Sequence, residues 1–90
     1  MSYAQGMESG EVRMHFFAAA RAAVGANELA MPCGSLSGIL DRVADEHPGF
    51  AEVRPRCSYL VDGVAVHGDL TAIRLDPGVR VDVLPPFAGG

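Results

Sequence analysis

Residues 76–90 read DPGVRVDVLPPFAGG, and this stretch dictates what the rest of the chain must provide. Asp76-Pro77-Gly78 is a tight turn, with proline presetting φ and glycine taking the left-handed position. Val79, Val81 and Val83 alternate with Arg80, Asp82 and Leu84. That period of two describes a strand with its valines inward and the intervening side chains outward. Pro85-Pro86 ends the strand, because neither nitrogen carries a proton for a ladder. Phe87-Ala88-Gly89-Gly90 remains as a tail. A valine strand of this kind needs partner strands and an apolar layer to cover it.

Upstream, Ser58–Val61 and Val64–Val66 are two apolar runs around Asp62-Gly63, a dipeptide suited to a two-residue hairpin because both positions tolerate positive φ. The covering layer is a helix. Leu36, Ile39, Leu40, Val43 and Ala44 recur at i, i+3, i+4, i+7 and i+8 behind Ser35, whose hydroxyl can cap the first turn. Pro48 disfavours helical geometry at His47 and stops the element. Phe50–Arg56 reads as a loop, and His67–Arg74 as a connection with room for a 3₁₀ turn. Near the start, Val12, Met14 and Phe16 alternate with Arg13, His15 and Phe17, which places Phe17 on the outward face. Ala18–Ala23 forms a short helical turn ended by Gly25. Glu28–Met31 is a second strand, closed by Pro32.

The order is β, turn, β, α, β, β, β. The fold class expected is α+β: a β-grasp, ubiquitin-like arrangement with a mixed sheet of about five strands packed on one main helix. Residues 1–10 read as a flexible leader, 11–86 as the β-grasp domain and 87–90 as a flexible Gly-Gly tail. Ninety residues are one domain, 49% hydrophobic and 20% charged. Such a domain buries only roughly 60–65% of its unfolded surface, too little to spare for a large internal pocket. Function is therefore expected on the surface or at an end.

Net charge is −4 without a basic run, which argues against nucleic acid. No apolar stretch approaches the roughly 20 residues of a membrane span, and the first ten residues lack an apolar signal core. A cytoplasmic location is expected. Cys33 and Cys57 form no C-x-x-C pair and read as two reduced, partly buried thiols, so no metal site is expected. His15, His47 and His67 are scattered, Asp45-Glu46 reads as a solvated helix face, and no phosphate loop or nucleophile elbow is present. All seven basic residues are arginine; there is no lysine.

What remains is the tail. Two prolines make a stiff exit, and Pro86 to Gly90 reaches roughly 13–14 Å at full extension. Glycine lacks a Cβ and can pass a narrow channel to a reacting centre. Gly is 11 of 90 residues, so the dipeptide alone favours a frayed end. Its weight comes from the proline exit and the strand order.

From Val12 to Gly90 the chain resembles the small subunit of molybdopterin synthase, the MoaD family. The matching residues are Phe16-Phe17-Ala18 with Arg21 and Gly25, the helix after Ser35, Val61-Asp62-Gly63, Asp76-Pro77-Gly78, and Leu84-Pro85-Pro86-Phe87-Ala88-Gly89-Gly90. The resemblance implies a sulfur carrier with no catalytic groups of its own and no bound cofactor. A ubiquitin-activating-type adenylyltransferase would use ATP to adenylate the Gly90 carboxylate, and a sulfur donor enzyme would convert it to a thiocarboxylate. The large synthase subunit would receive Gly89-Gly90 and build the molybdopterin dithiolene. Phe17 and Leu84 match an apolar docking surface of the family, with Pro85 beside it. Phe87 would anchor the tail, and Ala65 stands where relatives can carry a larger apolar residue. Three alternatives stay open: a carrier for thiamine, cysteine or tRNA thiolation, a modifier joined to target lysines, and a β-grasp interaction domain with an unreactive tail.

Overall fold

The valine strand lies at the centre of the sheet. In the computed structural model, which describes residues 10–85, β7 (Arg80–Leu84) pairs on one side with β1 (Glu11–Phe16) and on the other with β4 (Ser58–Val61). Outside these lie β2 (Glu28–Pro32), paired to β1, and β5 (Val64–Val66), paired to β4. The order is β2-β1-β7-β4-β5, with β1 and β7 parallel and the other pairs antiparallel. This is the α+β, ubiquitin-like β-grasp fold with a five-stranded mixed sheet that the sequence predicts.

Alternation decides which face is covered. Val12, Met14, Phe16, Val81, Val83 and Tyr59 point inward and are buried. Against them pack Leu36, Ile39, Leu40 and Val43 of α2 (Leu36–Glu46), the main helix. The Gly38 N–H donates to Ser35 Oγ at 3.0 Å, so the predicted cap is in place. A shorter helix, α1 (Ala18–Val24), contributes Ala20 and Val24 and ends at Gly25, where φ is 82°.

Three expectations change. Phe50–Arg56 is not a loop: α3 (Pro48–Val53) and a 3₁₀ turn (Arg54–Arg56) occupy it. Pro48 does end α2, but it also sits at the first position of α3, where a missing N–H costs nothing. Phe50 is fully buried, its ring edge-on to Phe16 with centroids 5.9 Å apart. Arg54 clamps the turn to α2, Nη1 donating to Asp41 Oδ1 at 2.8 Å and Nη2 to the Ser37 carbonyl at 3.4 Å. One main helix thus becomes three helices over the sheet. Second, the His67–Arg74 connection holds a 3₁₀ turn (Leu70–Ala72), as the sequence allows, but it runs into a two-residue strand that the sequence reading lacks, β6 (Arg74–Leu75), paired with β3 (Gly34–Ser35) in a separate ribbon. Third, Cys33 is exposed; only Cys57 is half-buried. The predicted leader, apart from Gly10, and the tail residues Phe87, Gly89 and Gly90 lie outside the described residues.

Candidate functional site: the uncovered sheet face and the strand exit

The side chains that alternation sends away from the helices form one face. Register places Glu28, Ala30 and Pro32 of β2 beside His15, Arg13 and Glu11 of β1. Arg13 and His15 in turn lie beside Arg80 and Asp82 of β7. This half of the face is charged. Arg13 pairs with Glu28, His15 Nε2 lies 4.0 Å from Glu28 Oε1, and Arg80 Nε donates to Asp82 Oδ1 at 2.7 Å.

The other half carries the apolar side chains. Leu84 stands opposite Ser58, and Leu60 stands opposite both Asp82 and Ala65. Phe17 joins them at the corner. Its N–H donates to the Val83 carbonyl at 3.2 Å, extending the β1–β7 ladder by one residue. Phe16 is buried opposite Val83, so Phe17 falls beside Leu84 on the outer face. Ala18 then turns sharply with φ at 50°, a left-handed value that a residue with a Cβ seldom takes. That turn starts α1 and leaves Phe17 39% exposed. A stripe Phe17–Leu84–Leu60–Ala65 thus crosses four strands.

Of the predicted site residues, Phe17, Leu84 and Ala65 lie on this stripe, and Pro85 follows Leu84 directly, half-buried. Leu60 was not predicted. Its signal was available: Tyr59 and Val61 share the inward face, so the residue between them must point out. Gly90, Gly89 and Phe87 lie outside the described residues. The stripe ends where the chain leaves the sheet, so a partner covering it meets the strand exit.

Elsewhere the polar groups serve turns. Asp62 and Gly63 have φ of 48° and 83°, as the two-residue hairpin requires. Asp62 is also pinned to β7: its Oδ1 accepts the Arg80 N–H at 2.9 Å and its own N–H donates to the Arg80 carbonyl at 2.8 Å. Asp69 accepts from the Thr71 hydroxyl at 2.5 Å and from the Thr71 N–H at 3.0 Å, bonds that hold its carboxyl below the usual range. A cleft of about 240 Å³ opens beside β4, with Cys57, Tyr59, Val66, His67 and Leu70 in its wall. Burial pushes the Cys57 thiol up, and it pushes the Tyr59 phenol up to about 12. Among the described residues, no three His, Cys, Asp or Glu side chains group to hold a metal ion. No helix among them is long and apolar enough to cross a membrane.

No curated protein sequence matches the chain significantly. Among solved structures, the HVO 2177 protein of Haloferax volcanii is similar at 31% identity, with a TM-score of 0.74, over 89% of this chain and 86% of that one. Small archaeal modifier protein 1 of Methanosarcina acetivorans shares the fold, with a TM-score of 0.79, 23% identity, and 90% and 97% of the two chains covered. A chain of the complex of subunits 1 and 2 of molybdopterin-converting factor from Helicobacter pylori shares it with a TM-score of 0.66, at 20% identity, covering 89% and 99%. The ThiS family profile matches residues 14–90, from the middle of β1 through the last glycine. With a β-grasp sheet, a face left open by the described helices and a profile match from β1 through the last glycine, the chain belongs to the ThiS family, within the ubiquitin-like sulfur carriers.

Proposed function

We propose that this chain carries sulfur on the carboxylate of Gly90 and docks its partners through the stripe Phe17–Leu84–Leu60–Ala65. The observation that carries the reading is the position of Leu84. It is at once the last residue of the central strand and a member of the apolar stripe. A partner seated on the stripe therefore receives the segment after Pro85 at its own surface. The catalytic groups belong to that partner; this chain supplies the reacting end.

The sequence of events is activation, sulfur loading and donation. A ubiquitin-activating-type adenylyltransferase joins the Gly90 carboxylate to the adenylyl group of ATP, releasing pyrophosphate. A sulfur donor enzyme displaces AMP and leaves a thiocarboxylate. A recipient enzyme then takes the sulfur. The ThiS profile supports a carrier of this general kind, whether the sulfur goes to thiamine, cysteine or tRNA. The narrower reading, donation to the large subunit of molybdopterin synthase, draws support from the fold shared with a subunit of the two-subunit molybdopterin-converting factor. A second reading, attachment to lysines of target proteins, draws the same kind of support from small archaeal modifier protein 1.

Intact-mass spectrometry after co-expression with the adenylyltransferase and sulfur donor tests the proposal. The expected product has one oxygen of Gly90 replaced by sulfur. Loaded protein that yields molybdopterin with the large subunit and a pterin precursor selects the narrower reading. A ladder of conjugates without sulfur selects the modifier, and an unchanged mass with no conjugates sinks all three.

A further inference from the structure

We infer that Asp62-Gly63 is a site of spontaneous isoaspartate formation, held in check by the two hydrogen bonds between Asp62 and Arg80. Conversion there loosens β5, the sheet edge beside it. This chemistry holds whatever becomes of Gly90.

The reacting groups are neighbours in the chain. Of six aspartates and one asparagine, only Asp62 is followed by glycine. Glycine has no Cβ to shield its nitrogen, so the Gly63 nitrogen can reach the side-chain carbonyl carbon of Asp62. A C–N bond forms there and a C–O bond breaks. The protonated carboxyl group loses its hydroxyl, which departs with the amide proton as water and leaves a cyclic imide. Water then opens the ring at either carbonyl. Opening at the main-chain carbonyl routes the chain through Asp62 Cγ, one carbon longer, and leaves the α-carboxylate free. Nothing is oxidised or reduced.

The fold opposes the first step. Both residues are exposed at the tip of the β4–β5 hairpin, so water has access. Yet Asp62 is tied at two points to the first residue of the central strand: Oδ1 accepts the Arg80 N–H at 2.9 Å, and its own N–H donates to the Arg80 carbonyl at 2.8 Å. The imide is a flat five-membered ring that contains Cα, Cβ and Cγ of Asp62. Closing it fixes ψ and forces the side chain out of a staggered rotamer. A carboxylate bonded across to β7 must let go and turn toward Gly63 before the ring can form. Reaction therefore proceeds from the fraction of molecules in which this tip has opened.

The consequence follows from register. Val61 pairs with Val64 across the hairpin and with Val81 of β7, while Leu60 pairs with Ala65 and Asp82. An extra main-chain carbon at position 62 spoils the two-residue turn, and loss of the side-chain acceptor leaves the Arg80 N–H without its partner. Among the described strands, three-residue β5 is held by β4 alone. Once the turn is altered, Leu60 and Ala65, the outer end of the apolar stripe, lose their register.

The test uses the full chain, aged at neutral pH and body temperature, folded in buffer and unfolded in urea. Isoaspartate is located by peptide mapping and counted by methylation with an isoaspartyl methyltransferase. Hydrogen exchange at the Arg80 N–H measures opening of the tip in the folded protein. The unfolded chain should convert at Asp62 ahead of every other aspartate. The folded chain should convert many-fold more slowly, by about the factor that slows exchange at the Arg80 N–H. Asp62→Asn keeps the acceptor oxygen and tolerates the left-handed turn, and its deamidation, read as a gain in mass, should be slowed by the fold in the same way. Folded protein that converts as fast as unfolded protein overturns the protection by Arg80, and first conversion at another aspartate overturns the site. Converted protein with an unchanged melting temperature and unchanged exchange at Leu60–Val66 overturns the loosening of β5.

Discussion

Leu84 and Leu60 are half-buried on the side of the sheet that no helix among the described residues covers, so each can accept a charge that a core leucine could not. Leu84→Arg is expected to cost about 1 kcal/mol of stability or less, the range of substitutions made away from the core. The same change should weaken partner binding at least roughly tenfold, because docking would bury an unpaired guanidinium. Leu60→Arg should do the same. Co-purification with the recipient subunit, read beside a thermal melt, checks both; equal losses in the two assays would place these residues in the fold and not in the interface. Tyr59 makes a different prediction. Its phenol, buried on the inward face, is pushed from an ordinary 10.0 to about 12, chiefly by burial. The folded state therefore holds this proton to higher pH than the unfolded state does. Tyr59 contributes its full stability below about pH 10 and loses it as pH climbs toward 12. Denaturant titrations across that window should show a decline that is shallower in Tyr59→Phe.

Among the elements, the start of α2 and the body of α3 contrast. Ser35 was legible as a cap because a hydroxyl preceded an apolar stripe of helical period, and Ser35→Ala should cost about 1 kcal/mol by chemical denaturation. Segment α3 was not legible. Pro48 reads as a stop from the side of α2, and Pro48-Gly49 looks like a turn. Six residues are also too few to show a helical period. Its weight comes from Phe50, fully buried against Phe16. Phe50→Ala should cost about 3–5 kcal/mol, the usual loss for deleting a buried aromatic. A loss under about 1 kcal/mol would mean that α3 merely lies on the surface. The ribbon β3–β6 was equally hidden, since two residues per strand carry no alternation.

At the scale of the whole molecule, the described strands pair with one another and the described core is filled by residues from Val12 to Val83, while the proposed chemistry is at Gly90. Deleting Gly89-Gly90 should thus abolish sulfur loading and leave the melting temperature within about 1–2 °C of wild type, a shift worth a few tenths of a kcal/mol for a domain of this size. A clearly lower melting temperature would show that the end also supports the fold. The sequence by itself determined the class of fold and the strand faces. Valine alternation, the Asp62-Gly63 turn and the stripe behind Ser35 are local patterns, each set by residues a few positions apart. It also set out the strand end at Leu84 and the glycines beyond it. Only the tertiary structure decided that β7 is central and parallel to β1, and that Phe17, Leu84, Leu60 and Ala65 form one stripe. It alone showed that Cys57 is shielded where Cys33 is not. Those facts depend on pairing between residues far apart in the chain. Local period records which way a side chain points, not which strand will stand beside it.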